Sequence, residues 1–523
     1  MMEDFDVIIV GSGPAGVSAA FPLVAAGWKV LMVDGGEVPS GKLPQQSFLE
    51  ARTSDPEQWK WMVGENFHAL SMREAVSPKM RVASHSHVFS GFNQHNRINA
   101  ENFISVGSLA PGGLSNAWGC GVAKFSSAEL DQFPFPSTAL DIAYQSVAKR
   151  MGISGPRGDD LSDYFGLDSC SQAAIDMDPM HQSMFGKYGA NRVYLHKLGV
   201  RFGRSRLAAL SADHNGRQGC NLSGNCLYGC DRGALYSATD DLRALKKFTN
   251  FHHLALVVDG IRKNADGWSI DGQFEQVGKT FSASKILLAA GTIASTRLAL
   301  KTLDLQNPVR LLSCPTAAFV LCLPSFFGAA RTPAFGFGQI SFVLSLREDV
   351  SALGATFATS GLPLSEFARY MPLRRRYGID LLKSLLSSCV VGNLFLPGHL
   401  SDNQARLDQD GVLQIKGGYH HETDDLLTTA HARLRKAYRR LGAYMLPTSF
   451  TAGKPGGDIH YAGTLPMRKN PIPGESDASG QLFGLAGVYV VDGACLPVLP
   501  EKSHTLTIMA NAHRIACEMV TGA

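Results

Sequence analysis

The chain has no run of about 18 or more uninterrupted apolar residues, which argues against a membrane span. Its opening residues, MMEDFDVIIVGSG, lack a basic n-region and a small-residue cleavage site, so no secretory or twin-arginine signal is expected. Neither sign of charge dominates. The 49 Lys and Arg against 45 Asp and Glu leave a formal +4, too little to argue for a nucleic-acid partner. Ten cysteines in 523 residues, without a regular framework, suit a reducing compartment, and the cytoplasm is the expected location. Internal repeats and low-complexity tracts are also missing. What remains, 45% hydrophobic and 18% charged, is the composition of an enzyme of two or three domains.

The stretch FDVIIVGSGPAGVSAAFPLVAAGWKVLMVDGG contains every part of a βαβ nucleotide-binding unit. A β-branched strand from Asp6 to Val10 runs into Gly11-x-Gly13-x-x-Gly16 and then an Ala- and Val-rich helix. Gly11 permits the tight turn, Gly13 lets backbone approach a pyrophosphate, and Gly16 lets helix and strand pack closely. The helix N-terminus offers free N–H groups and a positive dipole end to the phosphates. The second strand, KVLMVD, ends on Asp34, placed to accept hydrogen bonds from a ribose and to repel a 2′-phosphate. A glycine triplet alone is a weak signal; strand, helix and acid in register make dinucleotide binding the expectation.

Further along, LAPGGLSNAWGCGVAKF (109–125) is glycine-dense, and Gly112 and Gly113 would let backbone pass a flat ligand. Read without context it is a surface loop with one buried Trp. A strand, a small-residue turn at Gly291 and a helix are expected in FSASKILLAAGTIASTRLAL (281–300), preceded by a strand in NFHHLALVVDGI. The nucleotide domain is therefore expected to be discontinuous. Cys220, Cys226 and Cys230 lack the CxxC pairs typical of zinc, so a packed turn is expected there and no metal site. Residues 331–450 read as a separate layer with a β-type FGQISFVLSL and a helical HETDDLLTTAHARLRKAYRRLGAYM. Within it, RYMPLRRRYGIDLLKSLL sets Arg374–Arg376 beside apolar residues. That suits contact with a membrane surface or, more commonly, a solvated helix face. His420 and His421 read as surface histidines.

The last seventy or so residues carry the chemistry. GGDIHYAGTLPM sets His460 just before a Gly-Thr turn. GVYVVDGACLPVLPEKSHTLTIMANAHRIACEM follows with a strand, Asp492-Gly493, two prolines and His504 at the start of a helix. Either histidine alone reads as a structural residue. Two of them flanking a strand that ends in Asp-Gly, in a nucleotide-binding chain, read as a site. A helix N-terminus at that locus would stabilise negative charge developing on a flavin that gains a hydride.

These blocks resemble the glucose-methanol-choline (GMC) flavoprotein oxidoreductases over essentially the whole chain. The resemblance rests on VIIVGSGPAG, GGLSNAWG, KILLAAGTIAS, HYAGTLPM and VYVVDGACLPVLPEKSHTLTIMANAHRIA. It implies an α/β fold: a Rossmann-type FAD domain of residues 1–120, 215–305 and 455–523, and a discontinuous α+β substrate domain of 121–214 and 306–454 on an antiparallel sheet. It implies FAD contacts at Gly11, Gly13, Pro14, Ala15, Gly16, Asp34, Gly35, Gly112, Gly113, Ser115, Asn116, Ala117, Trp118, Val258, Ala290, Gly291, Asp492, Gly493, His504 and Thr505. His460 would be the base taking an alcohol proton while hydride passes to flavin N5, and His504 would hydrogen-bond the same oxygen. The GGLSNAWGCG segment is similar to the pyranose-oxidase branch, where the residue before Trp is a flavin-tethering histidine. Here it is Ala117, so FAD is expected to be non-covalent. A sugar or glycoside alcohol is the first substrate class, with O2 or another acceptor taking the electrons. A lipid-like or sterol alcohol, or a hydroxynitrile-lyase-type reaction on the same fold, are the alternatives. Oligomeric state stays open.

Overall fold

A computed structural model describes residues 4–39, 46–65, 77–274, 277–362 and 373–522. A seven-stranded sheet forms the base of the molecule. Its order is Phe251–Ala255, Val30–Asp34, Asp4–Val10, Val277–Leu288, Trp268–Phe274 and Val257–Lys263, with Val488–Val490 also paired to Val277–Leu288. The strands beside the glycine turn are parallel, with Val7 opposite both Val30 and Lys285, and Ile286 opposite Val488. Parallel strands covered on both faces should be apolar throughout, and Val7, Ile8, Ile9, Val30–Val33 and Ile286–Leu288 are all fully buried. The long strand Val277–Leu288 forks. Its first half pairs antiparallel with Trp268–Phe274 and its end with Val488–Val490.

Helix Pro14–Ala25 follows the glycine turn and packs on the final helix, Thr505–Thr521. Both present small side chains (Ala19, Ala20, Ala510, Ala512) that are completely buried, which permits close approach. Helix Asp141–Met151 docks on the same final helix, and the Tyr144 hydroxyl lies 2.8 Å from Thr507 Oγ1. Residues 121–175, grouped by the sequence reading with the substrate unit, thus contribute Phe125, Leu130, Val147 and Met151 to the core of the parallel sheet.

Above this base stands a seven-stranded antiparallel sheet. Its order is Tyr444–Met445, Thr316–Cys322, Cys389–Phe395, Ser351–Ala358, Gly338–Ser345 and Val200–Arg204, with Thr451–Ala452 also paired to Thr316–Cys322. Helices Pro179–Lys197 and Thr423–Arg440 cover its back, where Phe202, Phe319, Phe342 and Tyr438 cluster. Side chains alternate across a strand, so Leu353, Ala355 and Phe357, with Val391, Asn393 and Phe395, face the other way into a cavity. A five-stranded sheet joins Tyr461–Ala462, Val309–Ser313, Asn403–Leu407, Leu413–Lys416 and Ile98–Glu101.

The basic segment folds in part as helix Arg375–Leu385, with Arg374, Arg376, Leu373, Tyr377 and Leu381 exposed; residues 369–372 of the motif lie outside the described residues. Among the described residues no helix is long and apolar enough to cross a membrane.

Candidate active site

A cavity of about 950 Å³ lies between the parallel base and the antiparallel sheet, at the upper end of the range for ligand pockets. Three helix N-termini border it. Gly13, Pro14 and Ala15 open the first helix; Gly291, Thr292 and Ile293 open helix Thr292–Leu303; His504, Thr505 and Ile508 open the last. Each brings unpaired N–H groups and a positive dipole end to the same space.

The glycines divide by role. Gly11 has φ +111°, and a Cβ there would meet the Ala289 carbonyl oxygen at 2.2 Å, so it permits the turn and its packing on the neighbouring strand. Gly16 is also a packing residue, since its Cβ would fall 1.9 Å from the Gly11 carbonyl oxygen. A Cβ at Gly13 meets nothing within 4 Å and would project into open space. Gly113 faces it across the cavity wall: a Cβ at Gly113 would stand 3.2 Å from the Gly13 Cα. Gly16, Gly112 and Asn116 stand behind the wall rather than on it. Asn116 holds the loop with its amide bonded to Pro111 O and Gly113 O, while its carbonyl accepts from Ser237 and Thr239. Ser115, Ala117 and Trp118 line the cavity; the Trp118 indole N–H donates to Tyr236 O at 2.8 Å.

Asp34 and Gly35 line the cavity at the end of their strand. The Asp34 carboxylate accepts from the Ser12 hydroxyl and from Gly36 N–H at 2.9 Å, and His253 Nε2 lies 2.8 Å away. Val258, Ala290 and Gly493 also border the space. Asp492 presents its backbone there, while its side chain turns inward to accept from Gly291 N–H (2.9 Å), Ser295 Oγ (2.5 Å) and Ala494 N–H (2.9 Å). It thereby caps helix Thr292–Leu303, whose N-cap Gly291 has no side chain. Burial pushes Asp492 up to about 6, with the three donors pulling it back.

His460 and His504 meet in the cavity. Their rings stand edge to face with centroids 5.2 Å apart and planes at 82°, and Phe395 lies 5.1 Å from His460. Burial holds His460 down to about 4, with the charge of Lys79 adding to it. Burial and then His460 hold His504 down to about 3, against a hydrogen bond from its ring to the Tyr461 backbone. Both rings are therefore neutral at pH 7, which a proton-accepting imidazole requires.

Behind His460 lies a residue that the sequence reading passed over. Asp458 has a completely buried side chain whose Oδ2 accepts from Cys314 N–H (2.7 Å) and His460 N–H (3.2 Å) and sits 3.8 Å from His460 Nδ1. Asp458 Oδ1 and His460 Nδ1 have no hydrogen-bond partner, and burial pushes the carboxyl up to about 8. Cys314, Asp458 and His460 are the group of His, Cys, Asp or Glu side chains close enough to hold a metal among the described residues; the Cys220, Cys226 and Cys230 thiols do not form one. His420 and His421 lie against each other at the surface with their planes tilted by 46°, away from the cavity.

The donor set fits a flavin dinucleotide. Gly13 leaves room in front of backbone N–H groups, helix Pro14–Ala25 has no side-chain cap of its own, and a deep apolar chamber continues to two histidines. Comparisons with known proteins agree. Two family models match: pyridine nucleotide-disulphide oxidoreductase over residues 5–107 and GMC oxidoreductase over residues 405–512. Paromamine 6'-oxidase of Streptomyces fradiae is 24% identical over 555 aligned positions, spanning 98% of this chain and 90% of that protein. Protein FixC of Azotobacter vinelandii is 49% identical over 51 residues, 10% of this chain and 12% of that protein. Pyridoxine 4-oxidase from Mesorbium loti shares the fold, with a TM-score of 0.59 over 98% of both chains at 13% identity. Cavity, glycine turn and matches together define an FAD-dependent oxidoreductase acting on CH–OH groups. Its C-terminal part, residues 405–512, matches the GMC oxidoreductase model, and the full-length similarity to paromamine 6'-oxidase runs through the same segment.

Proposed function

We propose that the enzyme oxidises a hydroxyl of a carbohydrate or glycoside to the carbonyl, with His460 as the base and His504 positioning the alcohol oxygen. The observation that carries this reading is the pair of neutral rings 5.2 Å apart on the cavity wall, close enough for one oxygen to lie between them. Bound FAD supplies the hydride acceptor. His460 accepts the hydroxyl proton at Nε2, because its Nδ1 is buried toward Asp458. His504 is held by its ring's hydrogen bond to Tyr461 and fixes the substrate oxygen. The N-terminus of helix Thr505–Thr521 favours the negative charge that hydride transfer develops, and the aromatic face of Phe357 and Phe395 keeps water out. The substrate class is supported by the full-length similarity to paromamine 6'-oxidase. We read residues 1–120, 215–305 and 455–523 as the FAD domain and 121–214 and 306–454 as the substrate domain, of which 121–175 pack into the core of the FAD domain.

Because Ala117 stands where the related branch carries a tethering histidine, FAD is held non-covalently. Acid precipitation should release all the flavin to the supernatant; flavin remaining with the pellet refutes this. The catalytic reading is tested by anaerobic mixing with a panel of sugars, glycosides and polyols. At least one should bleach the flavin absorption, and a panel that leaves it oxidised would overturn the reading.

A further inference from the structure

We infer that Lys79 forms an anion-recognition subsite in the substrate cavity, so that the favoured alcohol carries a carboxylate or phosphate. This rests on the reading above, that the cavity takes an alcohol. Lys79 lies on the short helix Pro78–Arg81 and projects its ammonium into the cavity. The Phe337 ring centroid is 4.5 Å from Nζ, and a Cβ at Gly119 would stand 3.6 Å from it. No carboxylate pairs with Lys79 among the described residues.

The groups that sense its charge are Cys120, Cys226, His85 and His460. None is an anion at neutral pH. Burial pushes Cys120 up to about 12 and Cys226 well above the usual thiol range, and holds His85 and His460 down to about 4. The carboxylates on the cavity wall have other partners. Asp34 takes Ser12 and His253, Asp492 takes Ser295, Glu501 accepts from Tyr164 at 2.8 Å, and Asp458 faces His460.

Burial alone lowers Lys79 to about 8, which leaves it cationic at pH 7. An ammonium taken out of water without a counter-charge is costly, and a phenyl face offsets only part of that cost. Among the described residues no counter-charge is left for it, and with the FAD phosphates assigned to the helix N-terminus behind Gly13 we take the substrate as its source. Because Lys79 and His460 line one cavity, the anionic group and the reacting hydroxyl belong to one small molecule. Its body lies against Phe337, Phe357 and Phe395.

The test uses the purified FAD-bound enzyme. Benzoate, phenyl phosphate and neutral benzamide are titrated against the flavin absorption spectrum in wild type, Lys79→Met and Lys79→Arg. Benzoate or phenyl phosphate should bind wild type at least tenfold more tightly than benzamide, and whichever binds more tightly names the anion. Lys79→Met should erase the preference and Lys79→Arg should keep it. Equal binding of all three probes, or a preference that survives in Lys79→Met, overturns the inference. Lys79→Met that purifies without FAD also overturns it, by making the cofactor the partner. A parallel anaerobic comparison of 4-(hydroxymethyl)benzoate with benzyl alcohol, and of methyl glucuronide with methyl glucoside, separates the two readings. Bleaching by neutral and anionic alcohols alike, unchanged in Lys79→Met, removes the subsite only. Benzoate binding through Lys79 with no alcohol bleaching the flavin removes the catalytic reading and leaves the subsite.

Discussion

Gly11 and Gly13 sit two residues apart in one turn, yet substitution should damage the protein in opposite ways. At Gly13 the backbone is extended (φ −67°, ψ −177°), which any residue adopts, and an added Cβ meets nothing within 4 Å. Gly13→Val should therefore fold normally. Its methyl groups, however, would fill the space in front of the first-turn N–H groups of helix Pro14–Ala25. Each hydrogen bond to a charged phosphate contributes about 1.5–3 kcal/mol, so losing two weakens FAD by about two to four orders of magnitude. At Gly11 the added Cβ would lie 2.2 Å from the Ala289 carbonyl oxygen and 2.8 Å from the Ala290 Cα, at φ +111°. Backbone strain of about 1–3 kcal/mol and overpacking of a similar size then fall on the centre of the parallel sheet. A domain stable by about 5–15 kcal/mol would lose a large share of its margin. The assay is the ratio of flavin to protein absorbance together with thermal unfolding of flavin-stripped protein. Gly13→Val should purify colourless, with the stripped wild type's melting temperature, while Gly11→Ala should melt lower with or without flavin. Gly13→Val retaining full flavin, or Gly11→Ala melting like wild type, would refute the division of roles.

His460→Ala or His460→Asn should slow anaerobic flavin reduction by about 10²–10⁴ while FAD stays bound, and unchanged stopped-flow rates in either variant would sink its assignment as base. The neutral imidazole is the working form and burial lowers its affinity for protons. Reduction by a neutral alcohol should thus be insensitive to His460 from pH 9 down to about 5 and fail as pH drops through about 4. A loss centred near the ordinary value of 6.5 would contradict the buried geometry. The same depression makes the unfolded chain bind more protons between pH 6.5 and 4, so stability should fall as pH is lowered through that window, measurable by denaturant titration. Asp492→Ala strands the Gly291 and Ala494 N–H groups and uncaps helix Thr292–Leu303. A loss of about 2–5 kcal/mol is expected, read as a lower denaturation midpoint at unchanged slope.

The parts of the site legible in the sequence act through backbone within a few residues of themselves. Gly11-x-Gly13-x-x-Gly16, Asp34 and Asp492-Gly493 are of this kind, because turn, acid and strand end are local chemistry. The pair His460 and His504 reads as a site from the strand and Asp-Gly between them, but their separate roles come only from the resemblance, since nothing in either segment says that the rings touch. Lys79 and Asp458 have no local signature at all. Lys79 matters because Phe337, Gly119 and His460 converge on it from distant segments. Asp458 matters because the Cys314 N–H and the next turn of its own chain bury it. For the same reason Asn116, a candidate cofactor contact from its neighbours, turns its side chain to Ser237 and Thr239 instead. The docking of helix Asp141–Met151 on helix Thr505–Thr521, through Tyr144 and Thr507, was equally invisible, because a contact between segments so far apart in sequence leaves no local pattern.

The forked strand Val277–Leu288 bears on the order of events during synthesis. The glycine turn emerges from the ribosome first, but Asp4–Val10 acquires its inner neighbour only with residues 282–288, and that strand's end waits for Val488–Val490. The packing partner of helix Pro14–Ala25, Thr505–Thr521, arrives nearly 500 residues later. At about 5–20 residues per second, roughly half a minute to a minute and a half separates the first glycine from the helix that completes its pocket. Until residues 282–288 are made, Asp4–Val10 has only Val30–Asp34 beside it, and one side of this apolar strand is open. The cavity thus lacks one of its three helix N-termini until residue 505 and the turn after it have been made.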